Sequence, residues 1–299
     1  MSGAPSTWRF DAIGTVWDVV TDQPLSPPAR DRVRSRIDAF DRTWSRFRPD
    51  STVTRIGRGG GVVDLPPDAQ PMLDALAAVS EATGGAVNPL VGASLDALGY
   101  DPQYSLEDRG PVAAPADWRA VLAWDDARLA LAVPATIDVG ALGKGRLVDL
   151  VLDMVRDEAA GDVIVDAGGD LAVRGRPQRI GLEHPFDPRR AIGVWEVTDA
   201  ALCASAVNRR SWLSATGSSL HHVLDARTGL PVRTIAATWA LAPDAMTADA
   251  VATALFFDSG PRLAHAWDVA WVRMTTDGRV EWSPGCDADL FVRTDNVER

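Results

Sequence analysis

The chain of 299 residues has one lysine, Lys144, among its 30 basic residues. The preference for arginine is read as coding bias, so the rarity of lysine alone assigns no role. Cysteine is nearly as scarce. Cys203 and Cys286 stand far apart and outside any CxxC spacing, which excludes a disulfide framework and a thiolate zinc site and fits a reducing compartment. No run of about 18 apolar residues occurs, so no helix is expected to span or insert into a membrane. The opening stretch MSGAPSTWRFDAIGTVWDV shows neither the apolar core of a signal peptide nor a lipid-accepting cysteine. The expected compartment is the cytoplasm. Positive charge is in deficit, with a formal net charge of −11, which excludes a sequence-independent grip on nucleic acid. Neither HExxH nor GxSxG is present. With four histidines in all, a Ser-His-Asp triad would have to use His221 or His222, and no serine stands out as a partner.

What remains is an ordinary globular composition, 46% hydrophobic and 24% charged, sufficient for a sizeable core. Val33, Ile37, Phe40, Trp44 and Phe47 recur at helical spacing and predict a helix over 29–47, ended by RPDST at 48–52. A second helix fits 67–82, with Met72, Leu76 and Val79 on one face and TGG as its breaker. The proline-bearing stretch 100–118 reads as irregular. From 119 onward, RAVLAWDD, RLALAV and TIDV read as strands, followed by a helix over 144–158. VIVDAGGDLAVRG reads as strand, glycine turn and strand. Further strands fit 191–198, 201–205, 220–224 and 235–242, a helix fits 244–257, and a hairpin at 271–282 turns on TTDG. Strands and helices mix without a βαβ repeat, so the expected class is α+β. No linker or internal repeat appears, and residues 1–299 read as one domain.

The glycines around Lys144 invite two phosphate-loop readings, and both fail. Gly140, Ala141, Leu142, Gly143, Lys144 and Gly145 do not satisfy GxxxxGK[ST], and Val148 stands where GxGxxG requires its third glycine. Four segments nevertheless concentrate polar residues in apolar surroundings. In TIDVGALGKG, Asp138 leads through a glycine turn to Lys144, an arrangement suited to an anion. A helix-capping aspartate and a solvated lysine would account for the same residues. DAGGD, 166–170, is either a plain turn or a place of close backbone approach. In LHHVLDARTGLPV, 220–232, His221 and His222 would point to opposite faces of a strand. In DAMTADAVATALFF, Asp249 and Thr253 share a helical face among alanines, as an oxygen-ligated hard cation or a helix-stabilising pair would have them.

In this order, the four segments resemble the ApbE family of magnesium-dependent FAD:protein FMN transferases. The resemblance runs from about Phe10 to about Gly260. AIGTVWDV resembles the family's amino-terminal MGT strand, with Ile13 in place of methionine. WSRFRPDSTVTRI resembles the segment that sets an aromatic against the flavin, with Phe47 where tyrosine is frequent. TGGAVNP resembles TGGxFDP, with Asn88 in place of aspartate.

The resemblance implies an α+β fold related to the T-fold, with mixed, mostly antiparallel sheets packed with helices. It implies FAD lined by Ile13, Phe47, Ala86, Val87, Asn88, Asp138, Lys144 and Val223. It implies Mg²⁺ held by Asp249, Thr253 and the carbonyl of Ala141, and His222 as general base. The partner implied is a protein acceptor carrying a target threonine or serine. An FAD pyrophosphatase giving FMN and AMP, or a non-catalytic FAD-binding protein, would use subsets of the same residues.

Overall fold

Large apolar residues alternate along Ser6–Ala12 and Thr15–Thr21, burying Trp8, Phe10, Trp17 and Val19. The two strands pair antiparallel across a two-residue turn, Ile13 at φ 44° and Gly14 at φ 74°. Both positive angles match the turn that fits the twist of a tight hairpin. Ile13, expected within a strand, is instead a β-branched residue in the left-handed region, a strained placement. The computed structural model describes residues 4–214 and 217–291. Residues 1–3, where the reading of the amino terminus begins, lie outside it.

Two compact units emerge, neither continuous in sequence. The first takes residues 1–34, 144–209 and 233–299. Its centre is an eight-stranded sheet in the order Ser6–Ala12, Thr15–Thr21, Val163–Asp166, Asp170–Arg174, Ala201–Ala206, Ile235–Ala242, Ala270–Thr275 and Val280–Trp282. Every pair in it is antiparallel. A three-stranded sheet of Gln178–Glu183, Ala191–Val197 and Asp289–Leu290 belongs to the same unit. Leu171, Val173, Trp195, Leu202, Trp239 and Val272 form one cluster in its core. Ile235–Ala242 is buried along almost its whole length, because the Ala245–Ala254 helix packs on it and on Ala201–Ala206. That helix is rich in alanine, and small side chains permit the approach.

The second unit takes residues 35–143 and 210–232. The Ala69–Ala82 helix buries Met72, Leu73, Leu76 and Val79. A three-stranded antiparallel sheet joins Gly61–Asp64, Leu122–Trp124 and Arg128–Leu131. Leu95, Leu98, Tyr100, Trp212, Leu220 and Leu224 make a separate apolar cluster. The mostly antiparallel α+β class matches the expectation.

Four local differences bear on the site. The first helix ends at Trp44, short of Arg48, the residue that Pro49 keeps out of helical geometry, and Phe47 falls in the turn beyond it. TIDV is extended but not a strand: Ala135 N donates to Gly57 O and Asp138 N to Pro89 O, so no ladder forms. The stretch 220–224 breaks after His221 and resumes at Leu224–Asp225. The helix at 244–257 ends at Ala254, and a second one, Gly260–Ala266, starts with proline in its first turn.

Candidate functional site

Lys144 opens the Gly143–Glu158 helix rather than standing in a solvated turn. Its Nζ pairs with Asp170 Oδ2, and the Asp170 side chain is 1% exposed. Burial pulls the ammonium down, but Asp170 and Asp249 outweigh it and hold Lys144 above the usual lysine value. Asp249 Oδ2 accepts the amide of Gly145 at 2.9 Å. Burial first, then the Asp170 carboxylate, pushes Asp249 well above the ordinary carboxylate range.

Gly145 is glycine for a steric reason. A Cβ there would lie 2.1 Å from the Ala245 carbonyl oxygen and 2.8 Å from Asp249 Cβ. The same two helices are pinned by Asp149, whose Oδ1 and Oδ2 accept the amides of Ala245 at 2.7 Å and Met246 at 2.9 Å. Asp244 caps the second helix by accepting from Thr247 N. DAGGD presents Asp170 through Gly168 at φ 71° and Gly169 at φ 110°. A Cβ on Gly168 would meet Thr15 Oγ1 at 2.1 Å, so the turn lies against the Ile13–Gly14 hairpin. Cys203 is buried beside these groups, its thiol pushed well up by burial.

Two buried carboxylates, Asp170 and Asp249, thus share one ammonium. The excess negative charge calls for a proton or a cation. Asp249 and Thr253 both lie on the Ala245–Ala254 helix. Carboxylate, hydroxyl and backbone carbonyl are hard oxygen donors that suit Mg²⁺. Among the described residues, no group of three or more His, Cys, Asp or Glu side chains is arranged to hold a metal.

The second unit carries the aromatic residues. Phe47 stacks on Tyr104 with ring centroids 5.3 Å apart and 6° between planes, and meets Tyr100 edge-on. Tyr100 in turn lies 6.4 Å from His222, centroid to centroid. Asp138 is tied to the same cluster through Arg46 Nε at 2.6 Å. Ala86 O accepts from Ala226 N, joining TGGAV to the segment that contains Val223. Val87 N donates to Thr83 Oγ1. Asn88 is 4% exposed, and its amide is used at both ends. Oδ1 accepts Leu90 N at 2.8 Å, and Nδ2 donates to Pro115 O at 2.9 Å. A carboxylate could not make the second bond. Ala141 lies in the turn before the Gly143–Glu158 helix, within the second unit.

The two histidines differ in a way the strand argument did not anticipate. His221 is 6% exposed; its Nδ1 accepts Val223 N at 3.3 Å and its Nε2 lies 2.8 Å from Val232 O. Both ring nitrogens are therefore engaged by backbone. His222 is in a bend, half-buried, beside Tyr100.

The structure places Lys144 near Asp249, and Arg46 lies against both Phe47 and Asp138. Neither Arg46 nor the pairing of Asp170 with Lys144 is legible in the sequence. Burial against a partner remote in sequence leaves no local signal, although DAGGD had marked Asp170 as polar in an apolar stretch.

The ApbE family model matches residues 13–269. A protein of Klebsiella pneumoniae named FAD:protein FMN transferase is 25% identical over 285 residues, covering 86% of this chain and 77% of its own length. One of the same name from Rhodobacter capsulatus is 25% identical and covers 94% of this chain, which spans only 57% of that relative. Among solved structures, the ApbE protein of Thermotoga maritima superposes with a TM-score of 0.82 at 23% identity, over 93% of this chain and 97% of that one. The Pseudomonas stutzeri flavinyl transferase ApbE, apo form, gives 0.79 at 23% identity, over 93% and 94%.

Proposed function

The chain belongs to the ApbE family, and from that premise we propose that it is an FAD:protein FMN transferase. The reaction joins the FMN phosphorus of FAD to a threonine or serine hydroxyl of an acceptor protein. The bridging P–O bond of the pyrophosphate breaks, and AMP leaves with the bridging oxygen. The observation that carries the reading is the cluster of Lys144, at the start of a glycine-bearing helix, with the buried carboxylates of Asp170 and Asp249. It offers a fixed ammonium for an anion and an uncompensated carboxylate for a cation.

In this reading Asp249, Thr253 and the Ala141 carbonyl hold Mg²⁺, which when bound supplies charge neutralisation at a phosphate. Lys144 neutralises charge on the pyrophosphate, its orientation set by Asp170. Ile13, Phe47, Ala86, Val87, Asn88, Asp138 and Val223 line the FAD. His222 takes the proton from the acceptor hydroxyl, the role of a general base. The engagement of both His221 nitrogens by backbone supports His222 as the base. No nucleophile of the chain's own is required, since the hydroxyl comes from the acceptor. Residues 1–299 act as one transferase domain, a reading supported by the discontinuity of both units in sequence. The compartment proposed is the cytoplasm, which two unbridged cysteines fit.

Incubation with FAD, Mg²⁺ and candidate acceptors, followed by intact-mass spectrometry, tests the reading. It expects a covalent FMN adduct on threonine or serine. FMN and AMP released with no adduct on any acceptor would favour the pyrophosphatase instead.

A further inference from the structure

Arg46 is 5% exposed, and burying a guanidinium is costly unless its donors are met. They are met three ways. Nε donates to Asp138 Oδ2 at 2.6 Å, Nη1 to Asp96 Oδ1 at 2.7 Å and Nη2 to the Tyr100 carbonyl oxygen at 2.8 Å. The guanidinium carbon also lies 4.1 Å from the Phe47 ring centroid and 5.1 Å from that of Tyr100, within cation–π range. Asp138 has its other oxygen occupied too, since Oδ1 accepts Gly140 N at 2.6 Å. Its carboxylate therefore has no free rotation. The planar fork serves three acceptors at fixed angles while lying close to two rings, a geometry that a tetrahedral lysine ammonium does not reproduce.

Resting on the reading of Phe47 and Asp138 as flavin contacts, we propose that Arg46 is a positioning residue. Its guanidinium fixes the Asp138 carboxylate and the Phe47 ring in one mutual orientation, and through them sets the affinity for the flavin. Arg46 itself is too deeply buried to be the contact. Asp96, whose side chain is 31% exposed, anchors the guanidinium from its other edge.

The test is a double-mutant cycle read by FAD fluorescence titration, with the wild type, Arg46→Lys, Asp138→Asn and the double variant, and a melting curve for each. Arg46→Lys is expected to unfold cooperatively and to bind FAD about tenfold more weakly, the size of one lost charge-assisted bond. If Arg46 acts through Asp138, the double variant binds no more weakly than the worse single one, because both break the same connection. Wild-type affinity in folded Arg46→Lys, or losses that multiply in the double variant, would overturn the proposal. Should Arg46→Lys fail to fold, Asp96→Asn leaves Arg46, Asp138 and Phe47 in place and releases only Nη1. It is expected to weaken FAD about threefold, and unchanged affinity there overturns the proposal equally. Absence of FAD binding by the wild type would contradict the flavin reading itself, and the role of Arg46 with it.

Discussion

Gly145 donates its amide to Asp249 Oδ2 at 2.9 Å across a contact with no space for a side chain. A Cβ at Gly145 would come within 2.1 Å of the Ala245 carbonyl oxygen, and that atom is helix backbone, which cannot step aside. Gly145→Ala is therefore expected to destabilise the protein by about 1–3 kcal/mol, the usual range for overpacking. Urea denaturation measures it. A variant as stable as the wild type would mean that the two helices do not meet this closely.

Asp249→Asn separates fold from chemistry. Burial and the neighbouring Asp170 already disfavour the charged carboxylate, so a neutral amide relieves repulsion while its oxygen can still accept from Gly145. Without metal, the melting temperature is expected to stay level or rise. Mg²⁺-dependent consumption of FAD is expected to be lost, because an amide lacks the charge a hard cation requires. Wild-type turnover with Mg²⁺ would remove Asp249 from the metal site.

Asn88→Asp reverses the departure from the family's TGGxFDP pattern. Asn88 Nδ2 donates to Pro115 O, so a buried carboxylate would set two acceptors against each other. The expected loss is about 1–3 kcal/mol, the cost of an unsatisfied buried polar group, measured by thermal denaturation. A stabilised variant would show that the Asn88–Pro115 bond contributes nothing.

Asp149 makes stability depend on pH. Burial outweighs its two backbone bonds and pushes its carboxyl up to about 6. A carboxyl whose folded value exceeds its unfolded one binds more protons when folded. Stability from this group therefore falls as pH rises from about 4 to about 6 and stays reduced above that window. Asp149→Asn is expected to remove that fall, about 2–3 kcal/mol over the whole window, seen in urea midpoints at several pH values. An identical slope in the variant would assign the dependence elsewhere.

Much of the architecture was readable from periodicity. The helix at 144–158, the DAGGD hairpin, the largely apolar strand at 235–242 and the TTDG turn all carry their signal within a few residues. The failures share a cause. TIDV is rich in β-branched residues, yet Asp138 N bonds to Pro89 O and the preceding Ala135 N to Gly57 O, partners no local pattern reveals. RPDST read as the end of one helix, but Ser51 also caps the next, accepting Thr54 N at 3.1 Å to start Thr52–Gly59. Of the site, the motif segments were legible and their pairings were not. Lys144 meets Asp170, and Arg46 meets Asp138 and Asp96, only once the chain has folded.

The two histidines distinguish chemistry from scaffold. His221→Ala removes bonds to Val223 and Val232 and is expected to lower the melting temperature. His222→Ala is expected to leave FAD affinity near normal and to slow transfer by about 10²- to 10⁴-fold, the usual loss of a general base. FAD titration and adduct formation, measured on both variants, check the division. Transfer at the wild-type rate by the His222 variant would remove it as the base.

The central claim, transfer of FMN from FAD to a protein hydroxyl, is tested most directly by stoichiometry. AMP released and FMN covalently attached are counted in the same reaction with FAD, Mg²⁺ and acceptor, by chromatography and intact-mass spectrometry. The account expects one AMP for each adduct and no excess of free FMN. AMP accumulating with an equal amount of free FMN and no adduct would contradict it.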